Sequence, residues 1–231
     1  MAEPEQHPTG TCETRGCDEC TLDENLNCRF EKKRLIGFLA MIIPFVTSSV
    51  LGLYIVGTIT GSQTPLIAYL AYYVIFFILI EPRILCRHCP HYAHEGDTIR
   101  CHANYGLPKI WRYDPRPLNT LERAGVLAGF GAFGLYPIAV EAYGIWTLFA
   151  VMGFVNPPGG LLLMAVTLIN THSAITLLIL LRRHHCARCV NFGCPLNKTP
   201  PPLKTAYHTR NPDIKRAWEE EETPSAHPQP T

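Results

Sequence analysis

Two stretches of this chain, 35–82 and 124–181, contain no lysine or arginine and one acid each, Glu81 and Glu141. All 20 basic residues lie outside them, five in 1–34, seven in 83–123 and eight in 182–231. A water-soluble globule spreads charge along its whole length, because every segment contributes exposed positions. A disordered chain lacks such apolar runs, and a nucleic-acid binder gathers its charge on one folded face. Neither class fits. Charge in blocks separated by long apolar runs is the pattern of a polytopic membrane protein, with the lipid bilayer as its first partner. The nearly neutral mean hydropathy of +0.07 is an average over these two extremes.

A membrane helix needs about 20 apolar residues at a rise of about 1.5 Å each. Leu35–Thr58 supplies the first, with Pro44 tolerated as a kink inside a packed membrane helix. After the uncharged turn Thr60-Gly-Ser-Gln-Thr-Pro65, Leu66–Ile80 begins the second, rich in tyrosine and phenylalanine. The third is expected to start behind a cap at Thr120-Leu-Glu-Arg123 and to run from Ala124 to about Val140. Leu161–Leu181 is the fourth, stopped by Arg182-Arg183-His184-His185. Residues 142–155 are apolar but short, so they either extend helix three or lie at the interface.

The expected fold class is therefore an all-α membrane protein, with four transmembrane helices as two hairpins and small Cys/His-rich cytoplasmic segments. With four spans the three basic blocks share one side, and the positive-inside rule makes that side cytoplasmic, with both termini. The first 28 residues have no basic start followed by an apolar core, so helix one reads as an uncleaved anchor. The expected domains are a Cys-rich segment 1–34, a transmembrane domain 35–181 that includes the loop 83–123, a Cys-rich segment 182–198, and a disordered Pro-rich and acidic tail 199–231.

All ten cysteines fall outside the spans: Cys12, Cys17, Cys20, Cys28, Cys86, Cys89, Cys101, Cys186, Cys189 and Cys194. Cytosolic thiols are kept reduced, which favours metal or redox chemistry over disulfide staples. The chain also echoes itself. Helix two exits into Arg83-Ile-Leu-Cys86-Arg-His-Cys89 and helix four into Arg182-Arg-His-His-Cys186-Ala-Arg-Cys189, each pair followed by a third cysteine, Cys101 or Cys194. If the hairpins pack side by side, the two C-x2-C pairs can meet at one four-cysteine site, for zinc or for an iron–sulfur cluster. Arg83, Arg87, Arg182, Arg183 and Arg188 would offset excess thiolate charge there. His88, His91, His94, His102, His184 and His185 could replace a sulfur ligand, although each alone reads more simply as a headgroup-level residue. The amino-terminal C-x4-C-x2-C-x7-C set is a separate four-ligand candidate, Cys12, Cys17, Cys20 and Cys28.

Within the spans, His172 is the candidate for a quinone or ion contact, with interhelical hydrogen bonding as its plainer role. Glu141 reads as an interfacial acid near the outer end of helix three. Gly125, Gly129, Gly131 and Gly134 give helix three a small-residue face for a close contact, within the bundle or in a homodimer. In outline the architecture resembles the quinone-linked disulfide oxidoreductases and vitamin K epoxide reductases, whose working cysteines face the oxidising side; here they face the cytosol. The first expectation is an integral membrane protein with a cytoplasmic Cys/His metal centre that is structural or passes electrons to a membrane or cytoplasmic redox partner. A thiol–disulfide or quinone oxidoreductase is the second, and a metal transporter or chaperone the third.

Overall fold

The computed structural model describes residues 20, 22, 25–150 and 157–222; Cys12 and Cys17 lie outside the described residues. Every regular element among the described residues is helical: α1 (Lys32–Thr60), α2 (Thr64–Ile75), α3 (Glu81–Ile84), α4 (Thr120–Ala150), α5 (Pro157–Leu180), α6 (Pro201–Arg210) and α7 (Pro212–Glu222). Among the described residues four stretches are long and apolar enough to cross a membrane: Lys32–Thr60, Thr64–His88, Thr120–Ala150 and Gly159–Arg188. Pro44 and Pro137 sit inside α1 and α4 without ending them. Helix three is thus longer than its apolar run predicts. It continues through 142–150, which resolves that ambiguity in favour of an extension; 151–156 lie outside the described residues. Its cap also sits one residue earlier than expected. Asn119 Oδ1 accepts from the Glu122 N–H at 2.9 Å, and the Asn119 N–H returns to Glu122 Oε2 at 3.0 Å, a reciprocal capping box.

The chain divides into two compact units. The first, a helical unit, comprises Ile36–Glu81 and Leu127–Leu181. Its core is built where the helices meet through large residues: Phe45 and Leu53 on α1, Tyr69 on α2 and Phe133 on α4 form one cluster. Ile55 and Val56 on α1, Leu148 on α4, and Leu163 and Val166 on α5 form another. The tyrosines of helix two act here as polar-tipped packing residues. The Tyr72 hydroxyl donates to the Gly129 carbonyl at 2.6 Å, and Tyr69 stacks on Phe133 at 5.9 Å. Large aliphatic residues such as Leu135, Leu161, Leu168 and Ile169 remain exposed, so these helices are apolar outside as well as in.

Gly129 accounts for part of the small-residue face. A Cβ there would meet the Phe76 ring at 2.0 Å, whereas one on Gly131 or Gly134 would meet nothing within 4 Å. Gly129→Ala is therefore expected to destabilise the helical unit by about 1–3 kcal/mol, the usual cost of overpacking. Thermal unfolding in detergent checks this, with Gly131→Ala as the variant expected to leave the midpoint unchanged.

The second unit comprises Met1–Leu35, Pro82–Val126 and Arg182–Thr231, and it holds every described cysteine. Segments that are separate in sequence thus fold together. The expectation of a disordered tail after Lys198 is corrected over 201–222, where α6 and α7 form. Each begins on proline at a first-turn position, where the missing N–H costs nothing. Leu203 and Tyr207 on α6, then Ile214 and Trp218 on α7, recur at four-residue spacing. They pack onto Leu22, Leu26, Val190 and Phe192. Residues 223–231 lie outside the described residues.

Candidate metal centre

The two C-x2-C pairs arise from the same local fold. On one side a π-helical turn, Phe76–Ile80, is followed by α3 and a 3₁₀ turn over Cys86–His88; on the other a π-helical turn, Leu181–His185, leads into a 3₁₀ turn over Cys186–Arg188. Each then leaves the helical path at its second cysteine, Cys89 at φ −90° and ψ 135°, Cys189 at φ −77° and ψ 131°. π-Turns cluster at functional sites because the extra residue rotates the next turn of backbone onto a new face. The internal echo seen in the residues is therefore also an echo of backbone conformation.

Asparagines hold the two turns together. Asn191 Nδ2 donates to the Leu85 carbonyl at 3.0 Å, tying the segment behind Cys189 to the one ahead of Cys86. The Asn27 N–H donates to the Arg188 carbonyl at 2.7 Å, while the Asn27 carbonyl accepts from His91 Nε2 at 2.8 Å. The amino-terminal segment thus clamps both pairs. Thr199 Oγ1 and Asn197 Nδ2 donate to the Cys189 carbonyl at 2.9 and 2.8 Å, and Asn104 Nδ2 donates to Cys86 Sγ at 3.0 Å. None of these partners announces itself by spacing in the sequence. An asparagine two residues past a cysteine turn is the only available hint, and it applies to Asn191 alone.

The thiols that this scaffold gathers are Cys89, Cys101, Cys189 and Cys194. Burial raises the Cys89 thiol well above its ordinary range, and the nearby Cys101, Cys189 and Cys194 raise it further, against the His91 backbone N–H directed at its sulfur. Cys189 is shifted upward in the same way, by burial first and then by Cys194 and Cys101, against the Asn191 backbone N–H. Each second cysteine thus has an N–H donor two residues on, the arrangement that stabilises a charged sulfur. Without a positive partner these buried thiols stay protonated.

Among the described residues no group of three or more Cys, His, Asp or Glu side chains is close enough to hold a metal ion. Repulsion between thiolates acts over several ångströms, whereas a zinc–sulfur bond is about 2.3 Å long. The four thiols therefore share a neighbourhood and not a coordination shell. No disulfide joins the eight described cysteines. Cys86 packs with Tyr92 and Ile99 beside Cys101, and Cys186 lies near Cys194, Arg182 and Lys198. Cys28 is buried in the same apolar cluster as Cys89, with Cys20 at its edge accepting a hydrogen bond from Arg210. The two described amino-terminal cysteines thus pack into the common unit.

The histidines and arginines depart from expectation. His88, His91, His94 and His102 are buried within the protein, while His184 is exposed. His88 is occupied, with Nδ1 bonded to the Arg116 carbonyl at 2.9 Å and Nε2 3.3 Å from Glu122. His102 Nε2 accepts from the Glu31 N–H at 3.0 Å. His91 differs: Nε2 donates to Asn27, but the buried Nδ1, near the Arg100 backbone, has no hydrogen-bond partner among the described residues. Burial pushes this imidazole down to about 4, so it is neutral, and a neutral imidazole with one N–H anchored on a carbonyl is the form that ligates metals. Arg87 is spent on Glu122 at 2.8 Å and Arg83 lies over the Trp111 ring at 4.8 Å, so neither is positioned as a thiolate counter-charge.

His172 stands on an exposed face of α5, 3.5 Å from the Thr176 hydroxyl on its own helix. The buried polar residue of that helix is Asn170, two positions earlier. A shallow cleft in the helical unit is lined by Val56, Thr60, Ser62, Thr64, Pro65, Ala139, Val140 and Tyr143, away from His172. No protein-family model, curated protein or solved structure gives a significant match to this chain.

Proposed function

We propose that this chain is an integral membrane protein whose two helical hairpins carry a cytoplasmic metal centre, with Cys89, Cys101, Cys189 and Cys194 as principal ligands and His91 beside them. The observation that carries this reading is the gathering of four thiols, the buried Cys89 and the half-buried Cys101, Cys189 and Cys194, drawn from two C-x2-C segments and their following loops, into one neighbourhood where ionised sulfurs would repel one another. Neutral buried thiols gain little from proximity. Thiolates there need a cation, and zinc or an iron–sulfur cluster supplies one. Bound metal would fix the fold of the cap, and a cluster would in addition relay electrons to a membrane or cytoplasmic redox partner. The positive-inside distribution supports a cytosolic position for this unit and both termini.

A thiol–disulfide oxidoreductase fits less well. Its attacking cysteine is accessible and has a lowered pKa, whereas Cys89 is 7% exposed and its thiol is raised.

Anaerobic purification with metal and sulfide analysis and an optical spectrum tests the proposal. Stoichiometric zinc without visible absorption, or iron and sulfide with absorption that bleaches on reduction, supports it. Protein free of metal that cycles between dithiol and disulfide overturns it. Labelling of Cys86 or Cys186 from outside intact cells by an impermeant thiol reagent would overturn the cytosolic placement.

A further inference from the structure

Glu141, expected as an interfacial acid, is enclosed within the helical unit. It lies well inside α4, is 0% exposed, and packs so closely on α1 that a Cβ at Gly52 would fall 2.0 Å from its Oε1. A chain of side chains from two other helices ends on it. Ser49 of α1 donates to Asn170 Oδ1 at 3.0 Å, the Ser48 hydroxyl lies 3.2 Å from the same oxygen while reaching the Pro44 carbonyl at 2.8 Å, and Asn170 Nδ2 donates to Glu141 Oε1 at 2.8 Å. Ser48, Ser49 and Asn170 are themselves buried. Glu141 Oε2, fully buried, has no hydrogen-bond partner among the described residues. Thr167 of α5 stands beside the carboxyl, and its hydroxyl reaches the Leu163 carbonyl at 2.9 Å.

The charge balance is decisive. A buried carboxylate needs a positive partner, and the stretches that form the helical unit contain no lysine or arginine. The groups facing Glu141 are Ser48, Ser49 and Gly52 from α1, Tyr69 from α2, and Thr167 and Asn170 from α5. Tyr69 is the one titratable group among them, and it is not a cation. The other acid of the unit is Glu81, and its histidine, His172, lies on an exposed face. Compensation must therefore come from outside the chain. Ionisable groups placed this way in a membrane bundle mark ion or proton sites, because their burial is otherwise costly.

We propose that Glu141 is a proton-binding site within the membrane-crossing unit, occupied by a proton at neutral pH. Asn170, oriented by Ser49, holds Oε1 as an acceptor. The proton sits on Oε2. The site is independent of the thiol centre and would stand if that reading failed.

Dicyclohexylcarbodiimide, which reaches apolar sites and reacts with protonated carboxyls, tests the proposal on the full chain in detergent, with peptide mapping by mass spectrometry. At about pH 7 an exposed glutamate is more than 99% ionised, so Glu141 should be labelled at least tenfold above Glu219. The label should be lost in Glu141→Gln and unaffected by exchanging choline chloride for sodium chloride. Infrared spectra of the wild-type chain across the same pH range should show the carbonyl stretch of a protonated acid persisting at neutral pH. This reading does not depend on a variant that folds. Absence of both the label and the band overturns the proposal. Protection from labelling by sodium overturns it too, in favour of a monovalent-cation site.

Discussion

Replacing Cys89 and Cys189 together by serine is expected to empty the proposed metal centre and unfold the thiol-bearing unit while leaving the helical unit intact. Each cysteine is the extended residue that ends its 3₁₀ turn, and each sulfur faces a backbone N–H two residues on. Removing both leaves one cysteine from each C-x2-C pair and strips the site of its two central thiols. Structural zinc contributes about 10–16 kcal/mol to small metallodomains, more than the roughly 5–15 kcal/mol net stability of a typical domain. Metal content per chain should fall to background. Protease should cut within 93–117, which holds no helix, and within 195–222, where α6 and α7 would lose the surface they pack on. Far-ultraviolet circular dichroism should keep the signal of the long helices. Cys20→Ser is the contrasting variant: its sulfur sits at the edge of the cluster and meets Arg210, so metal content should not change. A double variant that retains wild-type metal would defeat the assignment. One that loses a redox activity without losing stability would favour the oxidoreductase.

Two kinds of information behave differently between sequence and structure. The spans are legible because the bilayer imposes a length and an exclusion of charge, and both can be counted along the chain. The C-x2-C echo is legible because identical spacing at two helix exits produces matching turns. What spacing does not show is burial. Glu141 looks interfacial if helix three ends at Val140, yet Pro137 does not terminate α4 and ten further residues follow Val140. A proline's effect inside a packed helix is set by its neighbours. His172 is the conspicuous polar residue of helix four, but on a helix two residues are about 200° apart, and Asn170 is the one turned inward. Asn27 and Asn104 are invisible for a further reason. Asn27 acts on distant partners through its backbone N–H and carbonyl and Asn104 through its side-chain amide, and asparagine is common enough in loops that its presence predicts nothing.

Tyr207→Ala is expected to release α6 and α7 from the thiol-bearing unit. The side chain is 1% exposed and lies edge-on to Phe192 at 5.1 Å, within the cluster formed by Leu22, Leu26, Val190 and Ile214. Truncating a buried aromatic residue to alanine costs about 3–5 kcal/mol. The polar faces of α6 and α7 offer little to offset that. Exposed pairs such as Lys215–Glu219 at 3.5 Å are worth at most about 1 kcal/mol. Opening of 201–222 should therefore become on the order of 100-fold more frequent, read as the rate of proteolysis in that segment when cleavage is slower than reclosing. Tyr207→Phe keeps the ring and should stay near the wild-type rate. A tail that was already free of the unit would be cut equally fast in all three proteins. The comparison thus decides whether the carboxyl-terminal segment folds as part of the cap. It also bears on the thiols, because Cys89 packs in the same cluster, and loosening Tyr207 admits water to the sulfur that burial now keeps neutral.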